Sequence, residues 1–150
     1  MFDLQQFTAD CRAALKADSS HKSVREVVAR AVSDPANVLK GLGEPKRAEI
    51  QKLYHAPDLT ILNVIWAPMM TVMPHNHNMW AVIGIYSGRE DNVFWRRLPD
   101  GQGRIEAAGA RALCVGDDSV ESRLNVNSAV MSPRSTPKAE AAQHSCGPES

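Results

Sequence analysis

Residues 61–97 read ILNVIWAPMMTVMPHNHNMWAVIGIYSGREDNVFWRR, and this stretch decides the fold. Short segments rich in Ile, Val, Trp and Tyr are divided by Pro68 and by Ser87-Gly88. β-Branched and aromatic residues suit the pleated, half-buried surface of a strand, and Gly and Pro punctuate it. The stretch, with the two residues before it and the one after it, therefore predicts strands over 59–66, 70–73, 80–86 and 92–98. At its centre stand His75 and His77. Side chains alternate along a strand, so histidines two apart put both imidazoles on one face, half of a metal site set inside β-structure.

Downstream, 111–115 adds a further strand between the turn signals Pro99-Asp100-Gly101 and Gly116-Asp117, and Pro57-Asp58 opens the array. Evenly spaced strands with hairpin-sized loops indicate an antiparallel sandwich or barrel. Several of them are apolar at consecutive positions, which suits sheets covered on both faces. Upstream the period is helical. Leu4, Phe7, Cys11 and Leu15 form one stripe, and Val24, Val27, Val28, Ala31 and Val32 another. Two amphipathic helices should open the chain and pack on its own sheet. Ser23 and Glu26 offer a capping box for the second, and Asp34-Pro35 can cap a short third helix ending near Gly41.

The 150 residues fit one domain, helical over about 1–45 and β-rich to 125. After Asn125 the composition turns to Pro, Ser and Ala, so 126–150 reads as a disordered tail. Seventeen basic residues balance seventeen acidic ones, leaving no field to attract nucleic acid or an anionic membrane. Three cysteines, Cys11, Cys114 and Cys146, without C-x-x-C spacing, argue against a disulfide framework and fit a reducing cytoplasm. MFDLQQFTAD lacks the basic and apolar regions of a secretory signal. The uncharged run 59–74 carries Asn63 and Pro68 and reads as strands, not as a membrane helix.

Set in this strand array, the histidine pair resembles the first motif of the cupins, which runs from a glycine through H-x-H and a glutamate to a closing glycine. His75 and His77 supply the histidines, Ala81 stands at the glutamate position, Gly88 closes the motif, and Met69 occupies the opening glycine position. Keeping both histidines while losing the glutamate looks like the cysteine dioxygenase branch, the thiol dioxygenases. The likeness covers roughly 20–120 and is strongest over 59–97. It implies a mainly β, cupin-type double-stranded β-helix barrel with N-terminal α-helices. It also implies Fe(II) as cofactor and addition of O2 to the sulfur of a small-molecule thiol, in a monomer or small oligomer.

The second cupin motif carries a third histidine and an asparagine on a later strand. In GDDSVESRLN, Glu121 stands at the histidine position and Asn125 at the asparagine. The resemblance thus gives His75, His77 and Glu121 as metal ligands, a two-histidine, one-carboxylate set also used by iron. The tail residue His144 is the remaining downstream candidate. A catalytic tyrosine expected near the barrel's end has no counterpart after Asn125, so the chain resembles a divergent or truncated member. Independently of any family, Met79, Ala81, Ile83 and Ile85 would share the histidines' face if the strand continued unbroken, making an apolar wall. Arg89, Arg96 and Arg97 could receive a substrate carboxylate. Glu90 and Asp91 read as solvated loop acids, His21 and His55 have no partner at ligand spacing, and Trp66, Trp80 and Trp95 read as core. Three functions compete: an iron thiol dioxygenase, a non-catalytic cupin binding a metal or small molecule, and a cupin isomerase or hydrolytic metalloenzyme using zinc or manganese in the same place, which the identity of the bound metal separates from the first. The third ligand discriminates the first two.

Overall fold

The computed structural model describes residues 1–75, 77, 79–121 and 126–132, with Glu121 and 126–132 described by backbone alone. Three helices come first, α1 (Leu4–Ala17), α2 (His21–Val32) and α3 (Pro35–Leu42). Each has a side-chain cap at its start. The Asp3 carboxylate accepts from the backbone N–H of Gln5 and Gln6, Ser20 Oγ accepts from Lys22, and Asp34 from Asn37. These bonds satisfy donors that a helix start leaves without partners. The cap of α2 is thus Ser20, not Ser23. Ser23 lies inside the helix and its hydroxyl donates to the Ala14 carbonyl at 3.1 Å, tying α2 to α1.

Among the described residues eight strands follow: β1 (Glu49–Ala56), β2 (Leu59–Ile65), β3 (Thr71–His75), β4 (Ala81–Gly84), β5 (Arg89–Arg97), β6 (Ile105–Cys114), β7 (Asp118–Glu121) and β8 (Val126–Ser132). They form a β1-β2 hairpin, a four-stranded sheet in the order β3-β8-β5-β6, and a β4-β7 pair, with every pairing antiparallel. Helices followed by small antiparallel sheets agree with the coarse sequence expectation. Val126–Ser132 departs from it. This stretch, expected to begin the tail, is a strand lying between β3 and β5. Its Asn and Ser residues carry little intrinsic strand preference, but two flanking strands supply hydrogen-bond partners on both sides, and pairing outweighs propensity. Residues 133–150 lie outside the described part.

The core joins helices to strands. Cys11, Val24 and Val27 are buried together, and Phe7, Leu15, Val28, Leu59, Trp80 and Val82 pack around them. α2 lies so close to β4 that a Cβ on Gly84 would stand 2.6 Å from Val28 Cγ1 and 2.7 Å from Val32 Cγ1. An ion pair from Arg25 of α2 to Asp118 of β7, the residue opposite Gly84, adds to this contact. Val82 and Gly84 therefore face the helices, and the alternation of a strand sends Ala81 and Ile83 to the opposite face. Between β2 and β3, Met69 has φ +59, and between β4 and β5, Gly88 has φ +79. Both are left-handed conformations, easy for glycine and strained for methionine.

Candidate metal centre

His75 is the last residue of β3, and the register around it is irregular. Pairing runs in rows across three strands: Val72–Ala129–Asn92, and His75–Asn127–Phe94. Directly opposed residues of antiparallel strands lie on one face of the sheet, so Val72, His75, Asn92 and Phe94 belong to the same face. Val72 and His75 are three apart, a step that an unbroken strand would split between faces. The bulge between them inserts the extra residue that brings His75 round. This is the sheet's buried face, for Asn92 is 4% exposed and Glu90, two residues before it on β5, is 9% exposed.

His77 is placed differently from the expectation. β3 ends at His75 and β4 begins at Ala81, so His77 lies in the connection and the period-2 argument does not reach it. The two rings nevertheless stand together, with centroids 5.0 Å apart and planes at 70°. Both residues are exposed, not enclosed within β-structure as the spacing suggested. The unbroken apolar wall from Met79 to Ile85 is also absent in that form, since the strand carrying it starts only at Ala81 and stops at Gly84.

The chemistry of the pair is partly set. His75 Nδ1 lies 2.8 Å from the Met73 carbonyl oxygen. A carbonyl can only accept, so Nδ1 carries the hydrogen and the neutral ring presents the Nε2 lone pair. Metal-binding histidines commonly have such a backbone partner, which fixes tautomer and ring direction. His77 is held below the usual imidazole range, first by loss of hydration and second by repulsion from His75. Both effects favour the neutral form, which can donate a lone pair. A metal about 2.1 Å from each ring nitrogen stands about 3.2 Å from each ring centre, and a tetrahedral angle then separates the centres by about 5.2 Å. The separation of 5.0 Å is compatible with one shared ion.

Glu121 ends β7, and its backbone pairs with Ala81 of β4, in a register that also sets Ser119 opposite Ile83. Ala81 and Ile83 are on the face away from α2. Among the described residues, no third His, Cys, Asp or Glu joins a group able to hold a metal; the Glu121 side chain, Asn125 and His144 lie outside that description. The arginines are largely engaged: Arg89 pairs with Asp91 at 2.7 Å and Arg96 with Glu106 at 2.6 Å, while Arg97 is exposed at the end of β5. His55 Nδ1 is 2.9 Å from the Thr60 hydroxyl, and the His21 ring is 6.4 Å from Trp80. Trp80, half-buried at the helix core as expected, also borders an open cleft of about 300 Å³ with Leu15, Lys16, Ser19 and Asp58.

Two buried polar groups escaped the sequence reading. Glu90, expected as a solvated acid, lies inside β5, where burial pushes its carboxyl up and a neighbouring Asn92 partly opposes the shift. Period-2 spacing from Asn92 was the available signal. The second group is a chain of bonds. Tyr86 Oη donates to Asn63 Oδ1 at 2.7 Å, Asn63 Nδ2 to Gln51 Oε1 at 2.9 Å, and Gln51 Nε2 to Glu49 Oε1 at 2.7 Å. It spans β1, β2 and the turn after β4 and satisfies Asn63, which is 5% exposed. No protein-family model matches this chain, and no curated protein matches its sequence.

Proposed function

We propose that this protein holds Fe(II) on His75 and His77, with Glu121 as the third protein donor, and adds O2 to the sulfur of a small thiol. The carrying observation is the imidazole pair itself, 5.0 Å apart with the His75 tautomer set by the Met73 carbonyl. The cupin resemblance gains support from Met69, which stands at the motif's opening glycine position and takes the left-handed backbone that glycine favours. Gly88, at the closing position, has positive φ as well. The register adds a third support. Ala81 occupies the motif's carboxylate position, and Glu121 is its cross-strand partner. Cross-strand neighbours have Cβ atoms about 5 Å apart, so a carboxylate absent from one strand is available from the next in the same row.

In this reading the protein is a cytoplasmic cupin barrel, and the reaction is RSH + O2 → RSO2H. Both oxygen atoms enter the product; sulfur loses the electrons that oxygen gains. His75, His77 and Glu121 would hold the Fe(II), which would supply the redox chemistry that joins thiol sulfur to oxygen. The chain's own residues hold that arrangement. The Met73 carbonyl keeps the His75 Nδ1 hydrogen in place and Nε2 free, and the surroundings of His77 favour its neutral form. Ala81 and Ile83, on the face away from the helices, exclude water and add no charge.

Metal analysis of protein purified without added metal, together with oxygen uptake over a panel of small thiols, tests the proposal. Iron near one equivalent, lost in His75→Ala and His77→Ala, and thiol-dependent uptake are expected. Zinc or manganese in place of iron, or oxygen consumed equally by both variants, would overturn it. The exposure of both histidines favours a second reading, a non-catalytic metal- or small-molecule-binding cupin, because oxygen chemistry gains from a water-excluded site. Metal bound without thiol-dependent uptake selects that reading.

A further inference from the structure

One spacing repeats around the histidine pair: Met73, His75, His77 and Met79 fall two residues apart. Four of the chain's six methionines, Met69, Met70, Met73 and Met79, lie within eleven residues, and all four are exposed. Methionine is ordinarily a core residue, yet Met73 is 81% and Met79 61% exposed. Solvent thus reaches two soft thioethers flanking two imidazoles. We propose that Met73, His75, His77 and Met79 form a binding site for copper(I).

The donor chemistry selects this ion. Thioether sulfur is a soft ligand that prefers copper(I) to hard cations, and imidazole serves copper equally well. Copper(I) has a filled d shell and accepts low coordination numbers, so two imidazoles and one or two thioethers complete its shell without a carboxylate. The chain favours the arrangement locally. The His75 ring is bonded to the Met73 carbonyl, which ties these two residues together, and the His77 ring is 5.0 Å away. Methionine's flexible, unbranched side chain lets the sulfur adapt to an ion placed between the rings. This inference shares the histidines with the iron reading but needs neither Glu121 nor oxygen chemistry.

The test is an anaerobic titration of the full chain with copper(I) against bicinchoninate, followed by X-ray absorption at the copper edge. One copper(I) per chain with sulfur and nitrogen in its shell is expected. Met73→Leu combined with Met79→Leu, a volume-conserving change, should weaken copper(I) at least tenfold. An unchanged copper affinity in that double variant, a shell without sulfur, or binding no tighter than that of His75→Ala/His77→Ala would overturn the proposal. Loss of iron binding with copper(I) binding retained would overturn the iron reading instead and leave this one standing.

Discussion

Glu121 stands directly opposite Ala81 in the antiparallel pair of β4 and β7. Ala81 comes four residues after His77, so a small uncharged residue near the histidines is matched, one strand across, by an acid. The helices fix which face this row belongs to. Val82 packs on the core shared with α1 and α2, and Gly84 touches Val28 and Val32, leaving the row of Ala81 on the other side.

The first prediction tests this row. Glu121→Gln should weaken iron binding by at least tenfold, because a neutral amide is a poorer partner for a doubly charged ion than a carboxylate. Glu121→His should bind iron at least as well as the parent chain and raise any thiol-dependent oxygen uptake. Iron content and oxygen-electrode rates measure both effects. If neither substitution changes iron content, Glu121 is not a ligand, and the dioxygenase reading gives way to the non-catalytic cupin.

Met69 supplies a prediction about stability. Left-handed backbone costs an ordinary residue about 1–2 kcal/mol, and Met69 adopts it at φ +59 with its side chain largely in solvent. Met69→Gly removes that strain and forfeits part of the gain to greater freedom in the unfolded chain. A net stabilisation up to about 1 kcal/mol is expected, read from the urea midpoint. Met69→Val, which is β-branched, should instead destabilise.

The contact between α2 and β4 leaves no room at Gly84. Gly84→Ala would set a methyl group 2.6–2.7 Å from Val28 and Val32. Overpacking of this kind costs about 1–3 kcal/mol. Combining Gly84→Ala with Val28→Ala should recover less than the full loss, since Val32 still crowds the new methyl and Val28 leaves a gap where it met the core. Thermal unfolding of the single and double variants checks the order of stabilities.

The histidine pair shows which parts of the site the sequence could reveal. Spacing identified the residues but gave the wrong cause for their proximity: the strand ends at His75, just past a bulge, and His77 lies beyond it with its ring 5.0 Å away. A bulge is an event in the pairing of two strands, and the partner, β8, was invisible because Asn127, Ser128 and Ser132 carry no strand signal. The helices and 59–65 were legible because burial against one neighbour leaves a periodic stripe in the chain itself. Glu90 was misread for a related reason. Its place one residue after Arg89 and beside a turn suggests solvent, whereas its tertiary setting inside the four-stranded sheet buries it.

That burial gives a pH dependence of definite sign. Glu90 is 9% exposed, and desolvation raises its pKa above the ordinary glutamate value, with Asn92 opposing the shift. Between the unfolded and folded pKa values the native state therefore binds more protons than the unfolded state, and stability falls as pH rises. The stabilising contribution is complete below the unfolded pKa and is lost as pH passes through the folded one. Glu90→Gln keeps the neutral form at every pH. It should match the parent chain near pH 4, within the shared effect of lower pH on both, and exceed it at pH 7. Urea midpoints of the two proteins at both pH values give the comparison. A glutamine variant less stable by the same amount at pH 4 and pH 7 would mean that Glu90 acts as a hydrogen-bonding group whose ionisation costs the fold nothing.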